Sequence, residues 1–476
     1  MISGRRKHLI IGLAIGAAIL LLAGFGAATY IVTSAKPRLE KIASTILGMQ
    51  VTSRKLGVSF LPPSILVRDV KISNHSAEVA LIANLRARLN LLALVKGRVL
   101  VPALNIEKPE FTFFRLENGK WNIETPEREK REPVGENTVL LPIINIRNGS
   151  LLLHTDANPL EMRGISLTVK DLLLNGDKNL PALSRLSLTG DFSCNELQYD
   201  KAVFRDLAAH LQGKAGSFTF APVSFQAFGG LGVGNVELDI GDETPLVGVH
   251  LKLSRFRAED LFASMTKEEL LHGEMEMALD FTIRGNTLPK LLRSISGKAS
   301  MTGQDLISTR FDVDNLVEQF IDSQQFDLVD LGAFMIVGPL GPIVTRSYDL
   351  GMLANATRDG SSEVQQLVSL WQISEGKAVA RDVALATKKS RIAMSGEVDI
   401  GARRFSNLVV AVVDASGCAL VRQEMDGPFE SPVVNKPSFI ESAAGPVINI
   451  FRGTTRFITG EKCDVFYNGS VTAPVK

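Results

Sequence analysis

The six histidines His8, His75, His154, His210, His250 and His272 are the side chains best suited to holding a metal or moving a proton near neutral pH. No two are within twenty residues of each other, so neither an HxH nor an HExxH zinc spacing exists. There is no G-x-S-x-G turn to expose a nucleophilic serine, and no phosphate-cradling P-loop. The run GGLGVGNVELDI (229–240) clusters Gly230, Gly232 and Gly234, but a dinucleotide loop opens onto a helix. This run opens onto alternating apolar and polar residues, so a hairpin turn or bulge is expected. The acidic residues are scattered over what read as polar strand faces, and Trp121 in ENGKWNIE reads as a packing residue that closes a hairpin. The expectation is a protein that is not an enzyme and carries no metal or cofactor.

Cys194, Cys418 and Cys463 are too few and too far apart for a disulfide scaffold. Export from a bacterial cytoplasm would allow one disulfide, most simply Cys418–Cys463; unpaired thiols are the alternative.

The elements around these residues are set by the apolar pattern. Of 476 residues, 45% are hydrophobic and 22% charged, which supplies a large core and excludes disorder as the main state. Lys and Arg number 52 against 51 Asp and Glu, a balance that argues against a nucleic-acid partner. Leu9 to Val32 is a run of 24 residues without a charge, enough to span a bilayer. Arg5, Arg6 and Lys7 precede it and no acidic residue occurs before Glu40. Positive charges stay cytoplasmic, so the expected topology is a single-pass anchor with its N-terminus inside and the bulk of the chain across the membrane.

After this run, KPRLEKIASTILGMQ reads as a short amphipathic helix in which Leu39, Ile42, Ala43, Ile46 and Leu47 share one side and Gly48 is the stop. Period two then takes over. Val79, Leu81, Ala83, Leu85, Ala87, Leu89 and Leu91 alternate with Ala80, Ile82, Asn84, Arg86, Arg88 and Asn90, read as a strand with one dry face. Phe111 and Phe113 flank Thr112; Val249, Leu251 and Leu253 follow the same rule; Met275, Met277, Leu279 and Phe281 are interleaved with Glu274, Glu276 and Asp280. Gly, Asn and Asp punctuate the runs, as they do between antiparallel strands. Helical spacing is rare: one case lies near 312–322, another within Phe256–Leu271, and Val364–Trp371 fits either helix or strand. The steps RDVKI (68–72), KDLLL (170–174), RDLAA (205–209) and RDVAL (381–385) echo one another and read as places where a strand begins.

The chain divides by composition into a cytoplasmic tip and anchor (1–35), an N-terminal helix and β unit (36–125), a charged loop (126–138), a middle β region (139–285) and a C-terminal β region (286–476). Such one-sided strands must shelter their dry faces in a sandwich, in a closed barrel, or as the lining of an open trough. Period two does not choose among the three. A trough would leave a contiguous apolar surface far larger than soluble monomers expose, and acyl chains would suit it.

The anchor, the helix KPRLEKIASTILG, the stretch SILVRDVKISN, and LRARLNLLALVKGRVLVPALNIEKPEFTFFRLENGKWNIE follow a recognisable order. So do GEMEMALDFTIRGNTLPKLLRSISGKASMTGQDL and WQISEGKAVARDVALATKKSRIAMSGEVDI towards the C-terminus. In these features the chain resembles the AsmA-like family of envelope proteins of diderm bacteria. The resemblance implies a mainly β fold: a transmembrane helix, then an elongated, curled antiparallel β-groove with a few short helices, related to chorein-type and TamB-like bridge proteins. It implies an inner-membrane protein with its body in the periplasm and a role in outer-membrane biogenesis through phospholipid movement, and other envelope proteins as partners. The residues expected to line the groove against acyl chains are Val79, Leu81, Leu85, Leu89, Phe111, Phe113, Val249, Leu251, Met275, Met277, Leu279 and Phe281. The alternative is a scaffold or assembly factor for outer-membrane proteins that moves no lipid. The chain is short among such proteins, which leaves carrier, partial conduit and partnered segment open.

Overall fold

A computed structural model describes most of residues 36–474, leaving out 125–138, 175–182, 267–270, 319–334, 337–339, 341–359, 440–462 and some shorter stretches. The expected anchor at 9–32 and the charged loop at 126–138 fall outside the described residues. Among the described residues no helix is long and apolar enough to cross a membrane. The chain forms two compact units, Met1–Tyr199 and Asp200–Lys476.

Unit 1 is a sheet of β1 (Gln50–Phe60), β2 (Pro63–Asn74), β3 (Ala77–Arg88), β4 (Ala103–Phe113), β5 (Val139–Leu140), β6 (Ile143–Leu153), β7 (Leu160–Leu174) and β8 (Leu186–Tyr199). The spatial order is β1-β2-β3-β4-β6-β7-β8, with the short β5 against the end of β7. All pairs are antiparallel except β4–β6, which is parallel. Of the expected helix, residues 36–41, 43–45 and 47 are helical, and it stops at Gly48, whose φ of 71° is left-handed and whose N–H donates to the Ser44 carbonyl at 2.9 Å. This helix satisfies the free edge of β1: Ser44 Oγ accepts from the Val51 N–H at 2.9 Å, and Glu40 Oε1 accepts from the Ser53 N–H at 2.7 Å. An edge strand covered in this way is blunted against pairing with another chain.

Unit 2 contains β9 (Ala202–Lys214), β10 (Ser217–Ala227), β11 (Gly230–Asp239), β12 (Leu246–Arg257), β13 (Leu271–His272), β14 (Glu274–Arg284), β15 (Ser296–Ser308) and β16 (Ser362–Ser374). It continues with β17 (Lys377–Thr387), β18 (Arg391–Asp399), β19 (Arg404–Val413), β20 (Ala419–Pro428), β21 (Val433–Val434) and β22 (Ser438–Phe439). The order runs β9-β10-β11-β12-β14-β15-β16-β17-β18-β19-β20, all antiparallel, with β13 on β15 and β21 and β22 on β20. Neither unit closes into a barrel among the described residues. The stretch 364–371 is strand, and the helix expected within Phe256–Leu271 is Ala258–Thr266. Of the helix expected near 312–322, residues 313–315, 317 and 318 are helical and 319–322 lie outside the described residues.

One local device recurs and corrects the reading of the RD steps. Asp69, Lys108, Asn148, Asp171, Asp206, Arg255, Asp305 and Asn407 have φ between 45° and 53° and sit inside strands, not where strands begin. Each is exposed and is followed by a residue that faces the sheet interior. The polar residue before it also faces away, so the alternation becomes apolar-polar-polar-apolar, as in Val67-Arg68-Asp69-Val70 and Phe204-Arg205-Asp206-Leu207. Register shifts accompany several of these steps, which marks them as β-bulges. Asp and Asn suit them because they tolerate the left-handed region.

The glycine-rich run makes a hairpin turn and borders a bulge, as expected: Gly234 pairs with Val223 at a register shift between β10 and β11. Phe228 and Gly229 make the β10–β11 turn, while Gly230, Gly232 and Gly234 lie within β11. A Cβ at Gly232 would fall 2.2 Å from the Phe225 ring, so this glycine makes room for an aromatic residue on the neighbouring strand.

Candidate functional site: an apolar face on each unit

Cross-strand partners share a face, so the registers of unit 1 read as rungs across the sheet. One rung is Val51–Ile72–Ala80–Phe111–Leu151–Met162–Leu197, and a second is Leu56–Val67–Leu85–Ile106–Ile146–Leu167–Phe192. Each takes one residue from every long strand and none is polar. At about 4.8 Å between strands, each rung is roughly 29 Å long. Val51, Val70 and Ile82 form a small buried cluster with Val67, Ile72, Leu85 and Ile106 against them, which puts both rungs on one face. From β4 onward every rung member is only half-buried. Pro109 and Gly149 join the rungs: a Cβ at Gly149 would lie 3.1 Å from the Pro109 ring.

Unit 2 has the same construction with a different ending. Its rung Leu211–Phe220–Val236–Val249–Phe281–Gly297–Ile373–Ala378–Val398–Phe405 runs through ten strands. The first six members are half-buried. The last four are sealed, with Ile373 3%, Ala378 0%, Val398 0% and Phe405 1% exposed. Val313, Val317, Met335, Ile336 and Leu340, with Leu261 and Phe262 of the helix Ala258–Thr266, belong to the same core as these four. The dry face is thus open at one side of unit 2 and filled by protein at the other.

The expected lining residues divide accordingly. Leu85, Phe111 and Phe113 lie on the apolar face of unit 1, the two phenylalanine rings 6.1 Å apart. Val249 is on the unit 2 rung, and Leu251, Met277, Leu279 and Phe281 are partly buried against its core. Three residues need correction. Leu81 pairs with Lys71 and Glu110 and so faces the polar side; Ala80 and Ile82 take its place because of the double-polar step at Asp69 and Lys108. Leu89 lies beyond β3, which ends at Arg88 rather than near residue 91. Met275 is 1% exposed, inside the core rather than lining an open face. Val79 is 5% exposed, at a register shift opposite Ile72–Ser73. Leu167 follows from period two, in the alternation Ile165, Leu167, Val169; Ile106, Ile146, Leu151, Met162 and Phe192 do not, and are found by register.

The opposite face of β17–β20 carries a second, small core. Ala384, Ala386, Ala393, Ala411 and Ala419 lie under Tyr467 and Val471 of the C-terminal segment. Cys418 is disulfide-bonded to Cys463, the pairing that the sequence left open. Arg391 is 7% exposed; it donates to the Val471 carbonyl at 3.1 Å and lies 5.5 Å from the Tyr467 ring centre. Burial, together with the hydrogen bond to Asp382, pushes the Tyr467 phenol well above its ordinary range. Burial likewise pushes the Cys194 thiol up. No cluster of three His, Cys, Asp or Glu suited to a metal ion occurs among the described residues.

An open sheet with a continuous dry face and an N-terminal helix on its edge defines a class: β-groove proteins. The AsmA family profile matches residues 5–151 and 154–382, and the chain belongs to the AsmA family. No curated protein matches the chain.

Proposed function

We propose that this protein shelters acyl chains against the apolar faces of its sheets and takes part in phospholipid transport and outer-membrane biogenesis. It does so from the inner membrane, anchored by residues 9–32 with its body in the periplasm. The observation that carries the reading is the pair of seven-residue apolar rungs in unit 1, whose members from β4 to β8 are half-buried with no packed core over them among the described residues. A surface of this extent is unfavourable in water. Each methylene of a lipid tail buried on it contributes about 0.8 kcal/mol. No catalytic residue is assigned; the chemistry is shelter, not bond-breaking. Membership of the AsmA family supports the envelope setting.

A photo-crosslinking residue at Phe111, Leu151 or Phe281 of the full chain tests this. Phospholipid adducts at these positions, and none at Lys71 or Leu81 on the polar face, are the expected result. Adducts only to proteins at Phe111 and Leu151 would replace the reading by that of a scaffold for outer-membrane proteins. The sealed end of unit 2 favours a carrier or partial conduit over an uninterrupted channel within that unit.

A further inference from the structure

We propose that one end of the unit 1 sheet is a membrane-contact rim that rests on anionic lipid headgroups. At this end β1, β3 and β7 finish and β2, β4, β6 and β8 begin, as fixed by the pairs Phe60↔Pro63, Ser64↔Arg88, Ala103↔Ile143 and Leu173↔Ser187. Most of the large apolar side chains that unit 1 exposes gather here: Leu61 is 94% exposed, Leu92 76%, Leu100 52%, Ile143 43% and Leu173 38%. The other end of the same strands exposes fewer large apolar side chains, Leu47 at 46% and Ile123 at 40%, and is tied down. There Asn122 Nδ2 donates to the Glu78 and Thr112 carbonyls at 3.1 and 2.8 Å, and Asn74 Nδ2 to that of Glu124 at 2.8 Å.

Charge selects the partner. Between Glu40 and Asp69, and again between Glu78 and Glu107, the chain has no acidic residue. Arg86, Arg88 and Lys96 are exposed at the rim and form no ion pair with a described residue. Leucines on separate loop tips, interspersed with cations, do not make the contiguous patch of a protein interface. They match the apolar-plus-basic composition with which proteins enter the headgroup layer of anionic bilayers. The whole-chain balance of 52 basic to 51 acidic residues conceals this local excess.

The test uses the full chain in vesicles of phosphatidylcholine with or without phosphatidylglycerol, with brominated acyl chains as quencher. A bimane probe is placed through L61C, L92C or E117C; the last is exposed beyond the opposite end of β4. The native cysteines stay unlabelled, because Cys194 is buried and the other two are disulfide-bonded. Expected is a loss of emission of about twofold at 61 and 92 that depends on phosphatidylglycerol and weakens with salt, with 117 unaffected. The variant R88E/K96E, altered only at exposed positions, is expected to abolish the lipid dependence with its circular dichroism unchanged. Equal quenching at all three positions, or quenching at 61 and 92 indifferent to phosphatidylglycerol, overturns the proposal. Crosslinking on the apolar faces is read separately, so either idea can fail without the other.

Discussion

The hydroxyl of Ser369 on β16 donates to the main-chain carbonyl of Met335, and the Trp371 indole donates to the same hydroxyl oxygen at 2.9 Å. Ser369, Trp371 and Met335 are each 0% exposed. The contact ties the segment that fills the sealed end of unit 2 to the sheet beneath it. Ser369→Ala leaves a buried carbonyl and a buried indole N–H without partners, at a cost of about 1–3 kcal/mol. Chemical denaturation followed by tryptophan emission should show an earlier transition and red-shifted light from Trp371. Wild-type stability in this variant would mean that the contact contributes nothing to the seal.

The same substitution should have opposite outcomes along one rung. Val249 is half-buried and Val398 is 0% exposed, though both belong to the row that includes Phe281 and Ala378. Val398→Asp places an unpaired carboxylate in a closed core, a change of the class that exceeds about 4 kcal/mol. Val249→Asp lets its carboxylate reach water and should cost well under half of that. Soluble yield and thermal melting separate the two. Lipid recovered per folded protein should fall for the Val249 variant, whereas the Val398 variant should yield too little folded protein to carry lipid.

Lys108 offers a test of the mid-strand left-handed steps. Its φ is 49°, and it is exposed between Glu107 and the inward-facing Pro109. At an ordinary strand position valine is favoured over asparagine. Here the order should invert. Lys108→Asn should stabilise by roughly 0.5–1 kcal/mol, and Lys108→Val should destabilise by about 1–2 kcal/mol. Equilibrium unfolding of both variants reads the sign directly, and a more stable valine variant would refute the assignment.

These steps also explain where the sequence could be read and where it could not. Alternation is a local signal, so it located strands as long as β14, and most of the inward face of Glu274–Arg284, without help. It failed at Leu81 because β3 runs beside Asp69 on β2 and Lys108 on β4, where two polar residues in a row exchange the faces. The four RD echoes contained the clue: three of their aspartates, Asp69, Asp171 and Asp206, are left-handed. The clue shows in composition, but its meaning depends on backbone conformation. The sealing of Met275 and Val398 had no local signature, since the residues that cover them come from segments distant in sequence.

The C-terminal segment gives a further prediction. Cys418–Cys463 closes a loop with a separation of 45 residues, and the chain-entropy estimate for such a loop is about 4 kcal/mol. The Phe466 and Tyr467 amides both donate to the Gly417 carbonyl, at 2.9 and 3.0 Å, so part of the attachment survives reduction. Cys463→Ser should therefore lower stability by roughly 2–4 kcal/mol without unfolding unit 2 at room temperature. Limited proteolysis should release residues after 462 sooner, and an unchanged digestion pattern would mean that the hydrogen bonds alone hold the segment.

Glu40 should make the edge of unit 1 sensitive to acid. Burial alone would raise its pKa, but hydrogen bonds from the Ser53 hydroxyl and amide, with Lys36 nearby, bring it below the ordinary 4.5. A carboxyl whose folded pKa is depressed contributes stability above its unfolded pKa, and that contribution is lost as pH falls through the folded value. The loss should therefore develop below about pH 4.5 and not near neutrality. Glu40→Gln keeps the shape but replaces the charged acceptor of the Ser53 N–H by a neutral one, at a cost of about 1 kcal/mol at neutral pH. Stability measured from neutral to acidic pH should show wild type and variant well apart at first and converging as Glu40 takes up its proton. Curves that stay parallel throughout would show that the carboxylate does not hold the helix ending at Gly48 to β1.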